Sequence, residues 1–240
     1  MNFEDFSEEH VYFYEPEMLS DILEKSIKGL GEKVRILDIG CGDCGILMQL
    51  INKGINADFY GLDISEKRVK RAKELTKGKI NLFVGNAEKT QFKSGFFDFI
   101  ICTQLIEHVK DDKKLVSEIY RLLKKNGEAY VTSVIKKPYG IYIYKKDGKF
   151  VSDPTHEREY KDAKEFLDLF NQFKILVYKE KLFKHPFLDL LLRLFIKLGM
   201  MDPNKIVRVY EKSKFLFWLR NAIKIPLIGF YHNEVLMKKD

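Results

Sequence analysis

The chain has 240 residues, 45% of them hydrophobic and 32% charged, which suits one α/β domain of ordinary size with a modest embellishment and excludes intrinsic disorder as the main state. Forty-two Lys and Arg against thirty-five Asp and Glu give a net charge of +7, yet only eight of those cations are Arg. The surplus therefore favours anionic partners in general over nucleic acid, whose phosphates and guanine edges are best read by guanidinium forks.

Residues 16–30 place Met18, Leu19, Ile22, Leu23 and Ile27 on one face between Pro16 and Gly29, which predicts an amphipathic helix. Strands are then predicted at 34–39, 57–62, 80–84, 97–102 and 128–134, alternating with helices at about 45–53, 65–76 and 111–125. Strands separated by helices need right-handed crossovers, which give a parallel sheet covered on both faces. After residue 134 the rhythm breaks. Residues 135–157, rich in Lys, Tyr and Gly, read as a loop or small hairpin. A helix near 160–171, a strand near 173–179, two apolar helical stretches at 186–200 and about 204–224, and a last strand at 228–238 complete the chain. The expected organisation is one domain, with a helical segment 1–33, a core of 34–182 and 228–240, and an insertion 183–227.

Three cysteines are too few for a disulfide framework, and no apolar leader is read at the start. The longest apolar stretch, near 186–201, is broken by Asp189, Arg193 and Lys197 and falls short of the ~20 residues of a bilayer span. A reducing cytoplasm is the expected compartment, with membrane-surface contact left open.

The sharpest local signal is VRILDIGCGDCG at 34–45, where a buried strand runs into Gly40, Gly42 and Gly45 and then a helix. Glycines there allow a tight turn and bring backbone N–H groups and a helix N-terminus close to a ligand. Asp63 follows at the end of the second strand, placed to accept hydrogen bonds from ribose hydroxyls. By itself the pattern fits NAD and S-adenosylmethionine equally. Three features separate them. Asp38 sits where it meets an ammonium group, which NAD lacks. Some thirty residues precede the first strand, with which many dehydrogenases begin. The segments VGNAEKTQF at 84–92 and FFDFIICTQLIEHV at 96–109 follow at spacings that resemble the class I S-adenosylmethionine-dependent methyltransferases.

The resemblance covers about 10–134 and, more loosely, 155–180, and lies nearest the small-molecule group that includes the ubiquinone and menaquinone biosynthesis enzymes. It implies a Rossmann-like, seven-stranded, mostly parallel sheet with an antiparallel last strand, helices on both faces, and S-adenosylmethionine as methyl donor with S-adenosylhomocysteine as product. It further implies that Asp38, Gly40 and Gly42 take the methionine part and Asp63 the ribose. Ile64 would pack on the adenine, Asn86 and Ala87 would lie near its edge, and Gln104 and Leu105 would line the methyl-donor pocket. Asn86 stands where Asp is usual, so its contact with the adenine amino group depends on the orientation of the amide.

The segment DPTHEREY at 153–160 looks like one that borders the acceptor in related small-molecule enzymes. His156 and Tyr160 are thus candidates to orient or deprotonate it, with His108 a second candidate base. No metal is expected. Cys41 and Cys44 offer half a zinc site with only Cys102 besides, and closed zinc sites need four ligands. Glu107-His108 resembles the metal pattern of small-RNA ribose methyltransferases, but Gln104 stands where that pattern has a carboxylate and no second histidine follows nearby in the sequence. The Asn/Asp-Pro-Pro-aromatic signature of exocyclic-amine methylation is absent, CTQL occupying its place, so base amino groups are poor substrates. The basic run of Lys67, Arg68, Lys70, Arg71 and Lys73 reads as a solvated helix face.

The insertion 183–227 surrounds a narrow polar stripe of Asp189, Arg193 and Lys197 with leucines and phenylalanines, and adds Phe215, Trp218 and Ile223 flanked by lysines. It is read as core packing, a homodimer contact, a peripheral membrane surface or a cap over an aromatic or lipid-like acceptor. The rival functions are an NAD-dependent oxidoreductase and a non-catalytic Rossmann-like ligand- or RNA-binding module.

Overall fold

A computed structural model describes residues 19–31, 33–140, 144–146, 149–151, 155–197, 200 and 213–240. Among them, seven strands form one sheet: β1 (Val34–Ile39), β2 (Ala57–Asp63), β3 (Asn81–Val84), β4 (Phe97–Thr103), β5 (Leu123–Lys136), β8 (Lys174–Pro186) and β9 (Lys224–Lys238). Their order across the sheet is β3-β2-β1-β4-β5-β9-β8. The first five run parallel, while β9 is antiparallel to both β5 and β8. The order reverses at β1, whose neighbours are β2 and β4, and such a switch point opens a crevice at the carboxyl ends of parallel strands.

Helices cover the sheet where the sequence places apolar stripes. Helix α1 (Asp21–Lys28) is opened by Ser20, whose hydroxyl accepts from the Leu23 N–H, and it buries Leu23 and Ile27. Ser20 also hydrogen bonds to the Tyr130 hydroxyl at 2.8 Å, pinning the helix start to β5. The start predicted at Pro16 and Met18 lies outside the described residues. Helix α2 (Gly45–Asn52) and helix α3 (Glu66–Thr76) follow β1 and β2, and helix α4 (Asp112–Leu122) follows β4. Ser65 and Asp111 cap α3 and α4 through the N–H groups of Arg68 and Lys114. The sheet separates two cores: Leu37, Ile100, Ile119 and Val131 lie in one, and Ile36, Leu47, Phe99 and Ile101 in the other. Residues adjacent in β1 and β4 thus bury alternate side chains on both faces, as strands of a parallel sheet must.

Four differences from the predicted elements have local causes. Helix α4 stops at Leu122, because the chain turns extended at Leu123 (φ −69°, ψ 139°) and pairs at once with Phe97. The helix expected near 160–171 shrinks to α5 (Ala163–Leu167), opened by the Asp162 side chain, and a 3₁₀ turn Asp168–Phe170. Strands β8 and β9 are longer than predicted and pair out to Pro186 and Lys224. The inserted helices, α6 (Phe187–Lys197) and α7 (Lys214–Ala222), therefore stand on an extended two-stranded stem, and the boundary moves inward from 183 and 227. Residues 204–212 of the second predicted helix lie outside the described residues. The small hairpin allowed for in 135–157 is present as β6 (Tyr144–Lys146) and β7 (Lys149–Val151).

One close backbone approach fixes the loop after β5. Gly229 has φ +88°, and a Cβ there would lie 2.4 Å from Gly140 Cα. The Lys137 N–H donates to the Gly229 carbonyl at 2.8 Å. Gly229→Ala is expected to destabilise the fold by about 2–4 kcal/mol, from the left-handed backbone together with overpacking against main chain that has no rotamer to move. Urea unfolding of the variant checks this, and a loss below ~0.5 kcal/mol would contradict it.

Candidate active site

Strand β1 ends in a turn whose geometry only glycine accepts. Gly40 has φ +77°, and a Cβ there would come within 3.0 Å of the Leu105 side chain, which approaches from beyond β4. The N–H groups of Gly40 and Cys41 donate to the Leu62 carbonyl at 2.7 and 3.0 Å. Asp63 then ties the turn to the next crossover: Oδ2 accepts from the Gly42 N–H and Oδ1 from the Ser65 N–H, both at 2.9 Å. A carboxylate has about four lone-pair directions, so acceptor capacity remains on both oxygens.

The loop has a second brace. Asp43 receives both Nε and Nη2 of Arg71 at 2.7 Å, and Arg68 of the same helix is buried. The basic run on α3 is therefore not simply a solvated face: two of its cations pack under the glycine turn. Both are Arg, at i and i+3, whereas the lysines of the run lie between and beyond them, and the fork geometry of guanidinium suits a buried carboxylate pair.

Asp38, two residues before the turn, is 2% exposed, and its Oδ1 has no hydrogen-bond partner. Burial pushes its carboxyl well above the usual range, with the nearby Asp63 charge adding to the effect. A carboxyl in that state is costly unless a ligand supplies a donor or a positive charge. Ile64 is 57% exposed directly beside buried Asp63, an apolar side chain more than half open to solvent. After β3, Ala87 is buried and Asn86 exposed, with the Asn86 amide oxygen accepting from the Glu88 N–H at 2.8 Å. Gln104 closes this end of the crevice with a left-handed backbone (φ +50°). Its N–H donates to the Thr132 carbonyl, its Nε2 donates to Thr132 Oγ1 at 3.1 Å, and that Nε2 lies 3.5 Å from His232 Nδ1. Such strain at a non-glycine residue is held only by surrounding structure and concentrates at functional sites.

The residues read from the sequence thus fall into two groups. Asp38, Gly40, Gly42, Asp63, Ile64, Asn86, Ala87, Gln104 and Leu105 gather at the carboxyl ends of β1 to β4. His108, His156 and Tyr160 gather where the segment after β7 crosses the turn after β4. Within that second group, Tyr160 is a packed pin. It is 2% exposed, its hydroxyl donates to Asp112 Oδ2 at 3.0 Å, and burial raises its pKa further from the range of a base. The rings of His108 and His156 sit 4.7 Å apart in an edge arrangement. Sequence reasoning missed three parts of this frame: Arg71 on Asp43, His232 beside Gln104, and Arg158, which clamps the second group. Only the pair of arginines at helical spacing carried a readable signal.

The cysteines hold no ready thiolate. All three are free and buried. The Cys41 thiol is pushed up by its contact with Cys44 and by burial, and Cys102 by burial.

Comparison with known proteins decides what this crevice belongs to. Residues 37–131 match the family described as Methyltransferase domain, spanning the glycine turn, Asp63, Asn86 and Gln104. That segment is a methyltransferase domain. Ubiquinone biosynthesis O-methyltransferase of Pelagibacter ubique is 29% identical to this chain over 135 residues, 55% of each chain. The chain spans about half the length of the curated relatives it matches. Among solved structures, the S-adenosyl-L-methionine complex of phosphoethanolamine N-methyltransferase 2 from Haemonchus contortus aligns with a TM-score of 0.62 at 21% identity, over 91% of this chain and 51% of that one. The [4+2]-cyclase SpnF aligns at 0.60 and 18%, over 91% and 80%, so the fold extends beyond the matched segment but does not by itself name a reaction.

The residues present fit the cofactor. A sulfonium ligand with a free ammonium group supplies the donor and the charge that buried Asp38 lacks, the remaining lone pairs of Asp63 suit ribose hydroxyls, and the exposed part of Ile64 suits an adenine face. Gly40 leaves the space that a side chain would fill.

Proposed function

We propose that this methyltransferase moves a methyl group from S-adenosylmethionine to an apolar small molecule, aromatic or lipid-like. The observation that carries the reading is the buried Asp38 carboxyl beside a glycine turn stapled by Asp63, a cradle built for a ligand that is cationic at one end and a nucleoside at the other. The cofactor supplies an electrophilic methyl on sulfur. This chain's part is to hold the acceptor in line with it, and orientation of that kind can contribute ~7–11 kcal/mol in well-aligned systems.

The apolar character of the acceptor rests on α6 and α7. Asp189 and Arg220 join the two helices by a bidentate pair, leaving Phe187, Phe215, Trp218 and Ile223 exposed, with Phe215 and Trp218 stacked at 6.0 Å. We read this pair, with the loop 135–157, as a cap that also touches membrane surfaces, and a homodimer through the same face is its competitor. Among the described residues no helix is long and apolar enough to cross a membrane. Three free thiols suit a reducing cytoplasm.

Calorimetry of S-adenosylhomocysteine against NADH tests the reading. Binding of the first with NADH ignored is expected. Preference for NADH would replace the reading by an oxidoreductase, and absence of both would leave a non-catalytic module. Transfer of labelled methyl into quinols and phospholipid extracts then sorts the acceptor.

A further inference from the structure

The second group of residues carries more than a candidate base. Glu107, His108 and His156 each offer a ligand atom, and these atoms all lie within 4.8 Å of one another. Glu107 is buried and the two histidines are half-buried, so the cluster has a protein side and an open side. We propose that these three residues bind a divalent transition-metal ion.

The placement is built, not incidental. The Glu157 N–H donates to the Glu107 carbonyl at 3.0 Å, so the chain on the C-terminal side of His156 is stitched to the backbone of the first ligand. On the N-terminal side, the Thr155 carbonyl and hydroxyl lie 3.3 and 3.0 Å from His108 Nδ1. Arg158 closes the clamp, with Nη1 donating to the carbonyls of Ile106 and Val109 and Nη2 to that of Lys110. Its Nε pairs with Asp112 at 3.3 Å. Both segments that carry ligands are thus locked before any ion arrives, and His156 is held across the Glu107–His108 turn.

The chemistry of the set agrees. His108 Nδ1 lies against the Thr155 carbonyl and hydroxyl, the kind of outer-sphere contact that orients metal-bound imidazoles. Glu107 Oε2 accepts from Ser133 Oγ at 3.0 Å, the same kind of support for a ligating carboxylate. Bound ligand atoms at about 2.0–2.2 Å from an ion lie roughly 3–3.5 Å from each other, so atoms already within 4.8 Å are close to a binding arrangement. Two imidazoles and one carboxylate suit Zn²⁺, Fe²⁺, Mn²⁺ or Co²⁺ over Mg²⁺ or Ca²⁺, and leave at least one position open.

No second histidine stands near His108 in the sequence, but the fold brings the His156 ring to 4.7 Å from it. Glu107 follows Gln104 and Leu105, which border the donor pocket, so the open position would take an oxygen of the acceptor. This use rests on the methyltransferase reading. An acceptor hydroxyl on the ion loses its proton to water, its oxygen forms the O–CH₃ bond as the CH₃–S bond breaks, and a neutral thioether leaves.

The test uses the full chain, stripped with a chelator and titrated with Co²⁺ alone. One Co²⁺ per chain with visible ligand-field bands is expected, and at least tenfold weaker binding in His156→Asn and in His108→Asn. The Asn variants keep polarity at half-buried positions, and S-adenosylhomocysteine affinity within twofold of the parent certifies their fold. Absence of stoichiometric Co²⁺, or bands that persist in both variants, overturns the site. If the parent fails to bind S-adenosylhomocysteine, the methyltransferase reading falls while the Co²⁺ result still decides the metal, and circular dichroism then certifies the variants.

Discussion

Asp63→Ala is expected to reduce S-adenosylhomocysteine affinity by roughly tenfold to a few hundredfold and to lower the melting temperature of the ligand-free protein. Two losses act together. The carboxylate accepts from Gly42 and Ser65 N–H groups, and alanine leaves both donors in a buried turn without an acceptor. Each orphaned donor costs about 1–3 kcal/mol, and in a domain of this size every kcal/mol moves the midpoint by ~2–4 °C, so a fall of roughly 4–24 °C is expected. The ribose hydroxyls then lose a charged acceptor as well, at about 1.5–3 kcal/mol. Calorimetry with S-adenosylhomocysteine and a thermal melt read the two effects separately. Unchanged affinity would remove Asp63 from the cofactor site, while unchanged melting would show that the turn does not depend on it. Asp63→Asn should fall between, since its one amide oxygen can serve only part of the set.

How far such a site is legible in sequence depends on the range of the contacts that make it. The first five strands and the glycine turn were readable because their signals are local: VRILDI needs only its own apolar run, and Gly40 only the turn that follows. The places of Asp38 and Asp63 near strand ends were readable for the same reason. The boundaries of the inserted helices were not, because β8 and β9 are extended by pairing with each other, as in His185 with Ile225, and neither segment alone signals strand there. Tyr160 looked chemically available in sequence, but its hydroxyl is consumed by Asp112, 48 residues earlier. The same distance hid the Glu107–His108–His156 cluster. A search for ligands at short spacing finds helix and loop motifs and passes over sites that a crossover connection brings together.

The last prediction sets stability against function at one carboxyl. Asp38→Asn is expected to raise the stability of the ligand-free protein and to lower cofactor affinity at least tenfold. Burial, with Asp63 adding repulsion, raises the Asp38 pKa in the folded state, and the sign of the pH dependence follows. Between its unfolded value near 3.8 and its higher folded value, the folded protein holds a proton that the unfolded chain gives up. Stability associated with this group is therefore full below about pH 4 and is lost as pH rises through the folded pKa. Asparagine cannot ionise in either state, so it escapes that loss, which is on the order of 1–3 kcal/mol for a buried group without its full set of partners. The melting temperature of the variant should exceed that of the parent by roughly 2–12 °C at neutral pH, and the gap should close as pH falls through about 4, where the unfolded parent chain takes up its proton as well. In the ligand-bound protein the order should reverse, since the parent regains a charge-assisted partner for the ammonium group that asparagine cannot match. A variant that is less stable at neutral pH, or a gap that does not change with pH, would mean that Asp38 already has its compensation within the protein. The carboxyl would then be a structural group, and the assignment of the methionine end of the cofactor to it would fail.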